Sequence, residues 1–294
     1  MANIKFSSFT TETNPANVDF LVGYEGTTMK KIDPTNIGGG ATSLNGLSDV
    51  LIDGTSAYFI NIPAGLSGNP EDNLVIGSLA GNALTTGNRQ TIIGHDAGST
   101  LTTGHSNTIY GYEAAKGMAA GSDRNVVIGD MACRANAGDD NVVIGSSAGT
   151  NFTSAVEDTV VIGSFAAGSA GTSASQVIAI GSKAGRSNTA SGTTSIGFEA
   201  AYSQTSGVTN TYVGYRSGYS NTTSGDNTYI GRHSGYTATG ARNSSLGDGA
   251  FGGGAGHSGV DNVAFGYRAL QQPTGNSNFN VAIGSDALRA SGTR

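Results

Sequence analysis

The 294-residue chain has little of what builds a globular enzyme or a disulfide-stabilised domain. It contains one cysteine, Cys133, and no tryptophan, and only 12% of its residues are charged. A single cysteine excludes disulfide bonds within the chain, and one cysteine with four scattered histidines does not predict a metal site. We therefore predict neither a bound metal ion nor another cofactor.

Basic charge and long apolar runs are also scarce. The formal net charge is −6 and no basic stripe exists, so we do not expect nucleic acid as a partner. The N-terminal residues lack the apolar stretch of a signal peptide, and no later run is long enough to span a bilayer. These absences predict synthesis and assembly in the cytoplasm, without membrane insertion.

What the chain has in abundance is glycine, 47 residues, much of it placed in a repeat. The pattern N-[V/T]-x-I-G-x-x-A recurs thirteen times, at intervals of 16 to 19 residues. Such a short, regular repeat predicts an all-β parallel solenoid with one coil per unit, not a globular fold around one central pocket. The closing glycines of the thirteen units are Gly77, Gly94, Gly111, Gly129, Gly145, Gly163, Gly181, Gly197, Gly214, Gly231, Gly247, Gly266 and Gly284.

The positions within each unit suggest separate roles. Asn stands four residues before the closing glycine in nine units, where stacked side chains can bond from coil to coil. Ala follows the glycine by three residues in eleven units, which predicts a second short strand packed close to the first, and the glycine itself suits a positive φ. The residues one and three before the glycine share a strand face, and we predict that this face forms the core. The predicted core residues are Ile76, Ile93, Ile128, Ile144, Ile162, Ile180, Ile196, Val213, Ile230 and Ile283.

Proline usage divides the chain into parts. Four of the five prolines precede Asn73, and residues 1–72 hold three Lys/Arg against eight Asp/Glu, which predicts a boundary near residue 72. We predict an N-terminal module over residues 1–40, a neck over 41–72 and the repetitive roll over 73–294. Because each coil buries only a few small side chains, we also expect the roll to associate laterally with other copies.

The first two parts carry short-strand patterns. The module is predicted to hold two strands joined by a turn at Glu25 and Gly26, and it ends in a flexible glycine run at residues 38–40. In the neck, the pattern predicts strands around residues 50–52 and 58–62, with Asp53 and Gly54 as turn residues.

The repeat itself resembles a known family. The segments NVVIGSSAG, NTYVGYRSG and NVAIGSDAL resemble the head repeats of trimeric autotransporter adhesins. That resemblance implies a left-handed parallel β-roll in a homotrimer. The chain shows neither the secretion signal nor the C-terminal membrane barrel of those adhesins, so we do not expect it to be an autotransporter itself.

A second resemblance concerns the order of the parts. Similar A-I-G repeats occur in bacteriophage tail-fibre and appendage proteins, and the opening FSSFTTETNPANVDFLVGYEGTTMKKIDPTNIGGG resembles the N-terminal segment of cyanophage-type fibres. This implies a protein of the virion whose residues 1–40 attach to a tail or other virion protein. It also implies that the roll is displayed towards the host surface.

Three tyrosines form the most specific side-chain pattern. Tyr202, Tyr219 and Tyr236 each lie five residues after a closing glycine, on consecutive coils. An aromatic face with a hydroxyl group suits saccharides, so these residues are the candidate glycan-binding site. The alternative hypothesis is a row that stabilises the coil stack or packs in a trimer interface.

Charged residues two positions after the glycine offer other candidates. Asp96 and Glu113 would stack as a carboxylate pair, which some glycosidases use, but a solvated row of surface charges explains them better. In the same row, Lys183, Glu199 and Arg216 are expected to pair along the rod. The acidic pairs at residues 139–140 and 157–158 lack a calcium-binding repeat. We therefore predict no catalytic residue and no enzyme.

Three functions from different classes remain open at this point. The leading hypothesis is a structural virion protein, a trimeric tail fibre or appendage, and the second is a carbohydrate-binding adhesin. The third is an ice-binding solenoid, which needs a regular threonine array. The position three before the glycine instead mixes residues such as Leu74, Val126 and Ser244, which argues against ice binding.

Overall fold

The structure is a computed structural model that describes residues 21–25, 28–32, 50–53, 56–59, 71–135, 138–152, 156–168, 175–253, 257–271 and 277–289. Over these residues the fold is all-β, with strands, turns and bends but no helix. Of the predicted N-terminal module, only two strands belong to the described part, and the glycine run at 38–40 lies outside it.

Two hairpins precede the repeats. Strand β1 (Leu21–Glu25) pairs antiparallel with β2 (Thr28–Ile32), which confirms the two strands predicted around Glu25 and Gly26. Strand β3 (Val50–Asp53) pairs antiparallel with β4 (Ser56–Phe59), close to the strands predicted for the neck. Strand β4 also pairs in parallel with the first strand of the repeats, so the neck hairpin continues the sheet of the roll.

Each repeat contributes one three-residue strand that ends immediately before its closing glycine. All thirteen pair in parallel with their sequence neighbours in one sheet, which confirms a parallel β-solenoid. The strands are β5 (Leu74–Ile76), β6 (Thr91–Ile93), β7 (Thr108–Tyr110), β8 (Val126–Ile128), β9 (Val142–Ile144), β10 (Val160–Ile162), β11 (Ile178–Ile180), β12 (Thr194–Ile196), β13 (Thr211–Val213), β14 (Thr228–Ile230), β15 (Ser244–Leu246), β16 (Val263–Phe265) and β17 (Val281–Ile283).

The core lies on the opposite strand face from the one that the sequence predicted. The middle residue of every strand is buried, whereas the first and third residues are half-buried or exposed. The predicted core residues from Ile76 to Ile283 all occupy third positions; Ile230 is 37% exposed and Ile283 is 69% exposed. Alternation along the strand was correctly expected, but the isoleucine-rich face points outwards and the interior accepts the more variable middle residue.

The middle residues form the first row of the core. They are Val75, Ile92, Ile109, Val127, Val143, Val161, Ala179, Ser195, Tyr212, Tyr229, Ser245, Ala264 and Ala282. The residue three after the glycine forms a second row, which is Ala in most coils and buried there, with Ser217 and Ser234 as polar members. The second short strand predicted at this position is wrong, because the described coils have a turn there. Small side chains in this row let the turn approach the strand closely.

A third buried row, seven residues after the closing glycine, escaped the sequence pattern because its chemistry changes along the chain. In the earlier coils it is apolar, in the next three described coils it is polar, and it then returns to Ala238. Its described members are Leu84, Leu101, Met118, Phe152, Asn188, Gln204, Asn221 and Ala238. A row of such mixed type gives no hydrophobic periodicity to detect.

The closing glycine is required by both conformation and space. Its φ lies between +119° and +139°, which L side chains rarely adopt, as the sequence predicted. At Gly145 an added Cβ would lie 2.7 Å from the carbonyl carbon and oxygen of Gly163 in the next coil. Gly284, in the last described coil, has no such neighbour. The glycine column therefore sets the close stacking of one turn on the next.

The predicted asparagine row does bond from coil to coil. The side-chain oxygen of Asn125 accepts a hydrogen bond of 3.0 Å from the backbone N–H of Asn141, and Asn243 serves Asn262 in the same way. Between these stretches the row changes to Thr159, Val177 and Thr193, and a valine has no side-chain oxygen to continue it.

Candidate functional site

Two surfaces of the roll are candidates for function, and the first is the outer sheet face. We use this name for the first and third residues of strands β5 to β17. None of these 26 residues is charged, although many are solvent-exposed, including Tyr110 and Phe265 at more than half of their surface. A cavity of about 190 Å³ on this face is lined by side chains such as Ile230, Leu246 and Phe265. The face is therefore an uncharged, mostly apolar strip running along the described repeats.

The second surface carries the predicted tyrosines, and the structure brings them together. The ring centroids of Tyr202 and Tyr219 lie 5.1 Å apart with an angle of 9° between the ring planes. Those of Tyr219 and Tyr236 lie 5.1 Å apart at 23°. Three half-buried rings thus stack on consecutive coils, as their shared position in the repeat predicted.

The faces of these rings are largely occupied by neighbours within the chain. The Arg186 guanidinium lies 5.5 Å from the Tyr202 ring centroid and donates to its hydroxyl, while Arg216 lies 5.5 Å from Tyr219. His233 packs 5.1 Å from Tyr236. Because the rings stack on one another, the geometry favours a role in stabilising the stack over stacking against a sugar ring. Glycan binding by the three tyrosines stays a prediction.

A second aromatic row runs beside the first and was missed by the sequence reasoning. Phe198 and Tyr215, each one residue after a closing glycine, stack with centroids 5.5 Å apart. The residues two after the glycine contact both rows, since Arg216 lies 5.2 Å from Tyr215 and His233 lies 5.3 Å from it. The shared register of positions one, two and five after the glycine was the signal that could have found it.

We call these side chains the aromatic strip. It comprises the two aromatic rows, the charged row between them and the arginine at one end: Lys183, Arg186, Phe198, Glu199, Tyr202, Tyr215, Arg216, Tyr219, His233 and Tyr236.

The charges of the strip are paired along the rod as predicted. Glu199 Oε2 accepts a hydrogen bond of 2.8 Å from Arg216 Nε, and Glu199 Oε1 lies 3.6 Å from Lys183 Nζ. The hydrogen bond that Arg216 donates to Glu199 raises the pKa of Arg216. Burial, followed by the nearby Arg232, lowers the pKa of His233, so its imidazole is neutral at neutral pH. One carboxylate therefore serves two cations on this strip.

The acidic pair Asp96 and Glu113 does not form a hydrolytic pair. Lys116 Nζ lies between them, 2.9 Å from Asp96 Oδ2 and 2.8 Å from Glu113 Oε1, and Arg134 Nε binds Glu113 at 2.6 Å. Hydrogen bonds donated by Lys116 and Arg134 lower the pKa of Glu113, and the bonds that Lys116 donates to Glu113 and Asp96 raise the pKa of Lys116. A general acid needs a raised carboxyl pKa, so this geometry argues against glycosidase chemistry.

The acidic pair at residues 139–140 is likewise engaged by protein groups. Arg124 binds both carboxylate oxygens of Asp140, at 2.6 and 2.7 Å, and this lowers the pKa of Asp140. Asp139 accepts a hydrogen bond of 2.8 Å from the backbone of Asp123. Across the described ranges no group of three or more His, Cys, Asp or Glu side chains is placed to hold a metal ion.

The geometry defines the class of protein as a parallel β-solenoid built from short repeats. Comparison of the chain with protein-family models, with curated proteins and with solved structures found no match. In the part of the chain that the structure describes, no helix is long and apolar enough to cross a membrane.

Proposed function

We propose that this chain is a structural protein of a bacteriophage virion, a homotrimeric tail fibre or related appendage. In this proposal residues 1–40 attach to a tail or other virion protein, and the roll is displayed for contact with the host surface. The protein works by geometry, holding a surface at a distance from the particle. The resemblance of the opening residues and of the repeats to such fibres supports the assignment.

The observation that carries the trimer is the outer sheet face. Soluble monomers rarely expose a long contiguous apolar surface without charges, because it attracts other chains. Here such a surface repeats on thirteen successive strands and includes half-exposed side chains such as Tyr110 and Phe265. Three copies that face one another through this sheet would bury it along the whole rod. Closed symmetry would also prevent open-ended aggregation.

The trimer is tested by placing charges on that face. Because Ile144 and Ile162 point outwards, replacing both with Asp should leave the coil folded but prevent association, since unpaired charges in an apolar interface are costly. Light scattering gives the mass, to be compared with 29.4 kDa for one chain, and circular dichroism reports the fold. The matched control is Ser206→Asp with Thr223→Asp, on exposed return loops. A monomeric parent chain would overturn the trimer.

Attachment through residues 1–40 has its own test. Deleting these residues should leave a soluble trimeric roll that no longer enters particles, measured by the protein content of purified virions. If the truncated chain is incorporated at the parent level, attachment resides in the roll and this part of the proposal is wrong. Negative-stain images of the purified chain should show rods, and separate globular particles would contradict the fibre role.

A carbohydrate-binding adhesin is the second candidate, and the aromatic strip favours it. Exposed aromatic rows with arginines beside them are typical of binding surfaces more than of inert spacers. The two candidates are compatible, because a displayed rod can also contact a glycan. An ice-binding role gains no support, since the outer sheet face mixes Thr91 and Thr108 with Leu74, Val126 and Ile178.

A further inference from the structure

Charge is unevenly distributed along the roll. Residues 73–168, which cover the first six coils, hold four Lys/Arg and eight Asp/Glu, a net charge of −4. Residues 169–294 hold eight Lys/Arg and five Asp/Glu, a net charge of +3. A protein of net charge −6 thus has one basic end, and that end carries the aromatic strip. A basic region on an acidic protein indicates that a partner bound there carries negative charge.

The cations of the strip are incompletely neutralised. Lys183 and Arg216 share the single carboxylate of Glu199, and Arg232 beside them lies 3.3 Å from Asp248. Among the described residues Arg186 has no carboxylate partner. Its Nη1 donates to the Tyr202 hydroxyl, and its Nε is buried without an acceptor. Arg216 donates Nε to Glu199, and the structure gives its terminal nitrogens no acceptor within the described chain. Because Arg186 Nε is buried, the terminal guanidinium nitrogens are the donors that remain for a bound anion.

We propose that the aromatic strip binds an acidic polysaccharide, with Arg186 and Arg216 contacting its carboxylate, sulfate or phosphate groups. Guanidinium groups suit such oxyanions because their planar donors match the oxygen geometry. The tyrosine edges and hydroxyls beside them contact the sugar hydroxyls. This inference rests on the proposed role in surface contact and names the class of ligand for it.

The periodicity of the strip fits a polymer. Its aromatic positions recur once per coil, with ring centroids 5.1 to 5.5 Å apart, so successive coils offer aromatic contacts at a regular spacing to successive units of an extended chain. Individual contacts at exposed charges are weak, which makes repetition along the rod and among copies the source of affinity.

A saccharide fits this surface better than single-stranded nucleic acid does. Proteins that bind single strands place bases on free aromatic faces. Here Tyr202, Tyr219 and Tyr236 stack on one another, so the rings offer few free faces.

The experiment uses the purified full-length chain immobilised on a biosensor. The ligand is polygalacturonate, and its fully methyl-esterified form is the neutral match that differs only in charge. An oligothymidylate serves as a polyanion of another class. We expect binding to polygalacturonate that weakens as salt rises, and at least about tenfold weaker binding to the ester and to the oligonucleotide.

The variants separate the strip from general charge. Arg186→Gln with Arg216→Gln should weaken polygalacturonate binding by about tenfold or more, because two charge-assisted contacts are lost. The control Arg124→Gln with Arg242→Gln removes two positive charges from arginines that bind Asp140 and Asp261 outside the strip. It should stay within about twofold of the parent.

Three results would overturn the proposal: no binding of polygalacturonate by the folded parent, equal loss in both double variants, or equally tight binding of the oligonucleotide. Circular dichroism and light scattering on the same samples establish fold and oligomeric state. A chain that forms trimeric rods but does not bind polygalacturonate would refute this inference while leaving the fibre role intact. A monomer that binds polygalacturonate through the strip would support this inference and refute the trimeric fibre.

Discussion

The first six coils and the last seven have the same backbone conformation but differ in the residues of their interior. From Gly77 to Gly163 the middle strand residue is Val or Ile, and the row seven after the glycine is Leu, Met or Phe where it is described. From Gly181 onwards the middle residue is Ala, Ser or Tyr, and the corresponding row includes Asn188, Gln204 and Asn221. The buried apolar residues form two separate clusters, and the break between them lies one coil further on, between Ala184 and Ala200.

The later interior is held by hydrogen bonds where the earlier one is held by apolar packing. Asn221 Nδ2 donates to the Tyr212 hydroxyl at 2.5 Å, and the Tyr229 hydroxyl donates to Asn227 Oδ1 at 3.1 Å. Burial raises the pKa of both tyrosines, which keeps them neutral. At the junction, however, Ser195 Oγ is buried without a hydrogen-bond partner in the described chain. The coil geometry therefore accommodates two kinds of core, and at the boundary between them one buried hydroxyl lacks a hydrogen-bond partner.

The largest expected effect concerns the column of closing glycines, which the two regions share. Gly145→Ala and Gly231→Ala should each destabilise the fold by about 3 kcal/mol or more, because the new Cβ meets backbone of the next coil at a positive φ. Gly284→Ala is the control, since it keeps the positive φ without the clash and should cost less. Thermal and urea unfolding measure the losses. A mild effect at only one of the first two glycines would show that the column is not common to both regions.

A smaller effect should separate the two interiors. Leu101→Ala removes a fully buried aliphatic side chain from the early core and should cost about 3 kcal/mol. Asn221→Ala instead removes the hydrogen bond to the buried Tyr212 hydroxyl together with two bonds to Ser224, and should cost about 2 kcal/mol. Adding Tyr212→Phe to Asn221→Ala should recover part of that loss, whereas no second polar change can rescue Leu101→Ala. Failure of the Phe rescue in denaturant unfolding would contradict the hydrogen-bonded interior.

The boundary itself gives a prediction of opposite sign at equivalent positions. Ser195→Ala should stabilise the protein by about 1 kcal/mol, because it removes a buried hydroxyl that lacks a partner. Ser245→Ala should destabilise it by a similar ~1 kcal/mol, because the Ser245 hydroxyl lies 2.6 Å from that of Ser234. The melting temperatures of both variants test this, and a loss at residue 195 would show that its hydroxyl is bound after all.

The smallest expected effect is on acid stability. The pKa values of Glu113 and Asp140 in the early coils, and of Asp261 in the later ones, lie below their ordinary values of 4.5, 3.8 and 3.8 because arginine or lysine side chains donate to them. The unfolded chain then binds protons more readily, so this stabilisation is present above the ordinary pKa and is lost as pH falls through the lowered one.

Measurement of melting temperature from about pH 6 to about pH 3 should show the decline, with a shallower slope for Glu113→Gln with Asp140→Asn than for the parent. Asp261→Asn should change the slope less, because it removes one such carboxylate instead of two. Asp140 is exposed and Asp261 half-buried, whereas Glu113 is buried beside its two cations. The differences will be small, and salt should reduce those at Asp140 and Asp261 the most. An unchanged slope in the double variant would show that these ion pairs do not contribute to the stability of the early coils.

Several features of the fold followed from spacing alone. Glycines at intervals of 16 to 19 residues predicted the coil, and the short apolar run before each glycine placed the strand within about one residue. The asparagine row and the stacking of Tyr202, Tyr219 and Tyr236 followed from the same register. Any residue type that recurs once per coil must meet its equivalents, because parallel in-register strands place them side by side.

The core face and the aromatic strip could not be predicted in the same way. In a three-residue strand, alternation shows that Ile144 and Val142 share a face but not that the face points outwards. The strip joins residues at three different positions of the repeat, such as Tyr215, Arg216 and Tyr219, and only the path of the turn brings their side chains together.

The amino-acid sequence by itself determined the repeat length, the parallel stacking and the need for glycine at each closing position, because these depend on local conformation and on register. Only the tertiary structure decided which strand face is buried and which side chains meet across the turn. The physical reason is that burial depends on where the turns direct the strand. The turn after each strand contains residues with left-handed backbone conformation, such as Glu199 and Arg216. L-residues rarely adopt this conformation, so their residue types do not predict the path of the turn.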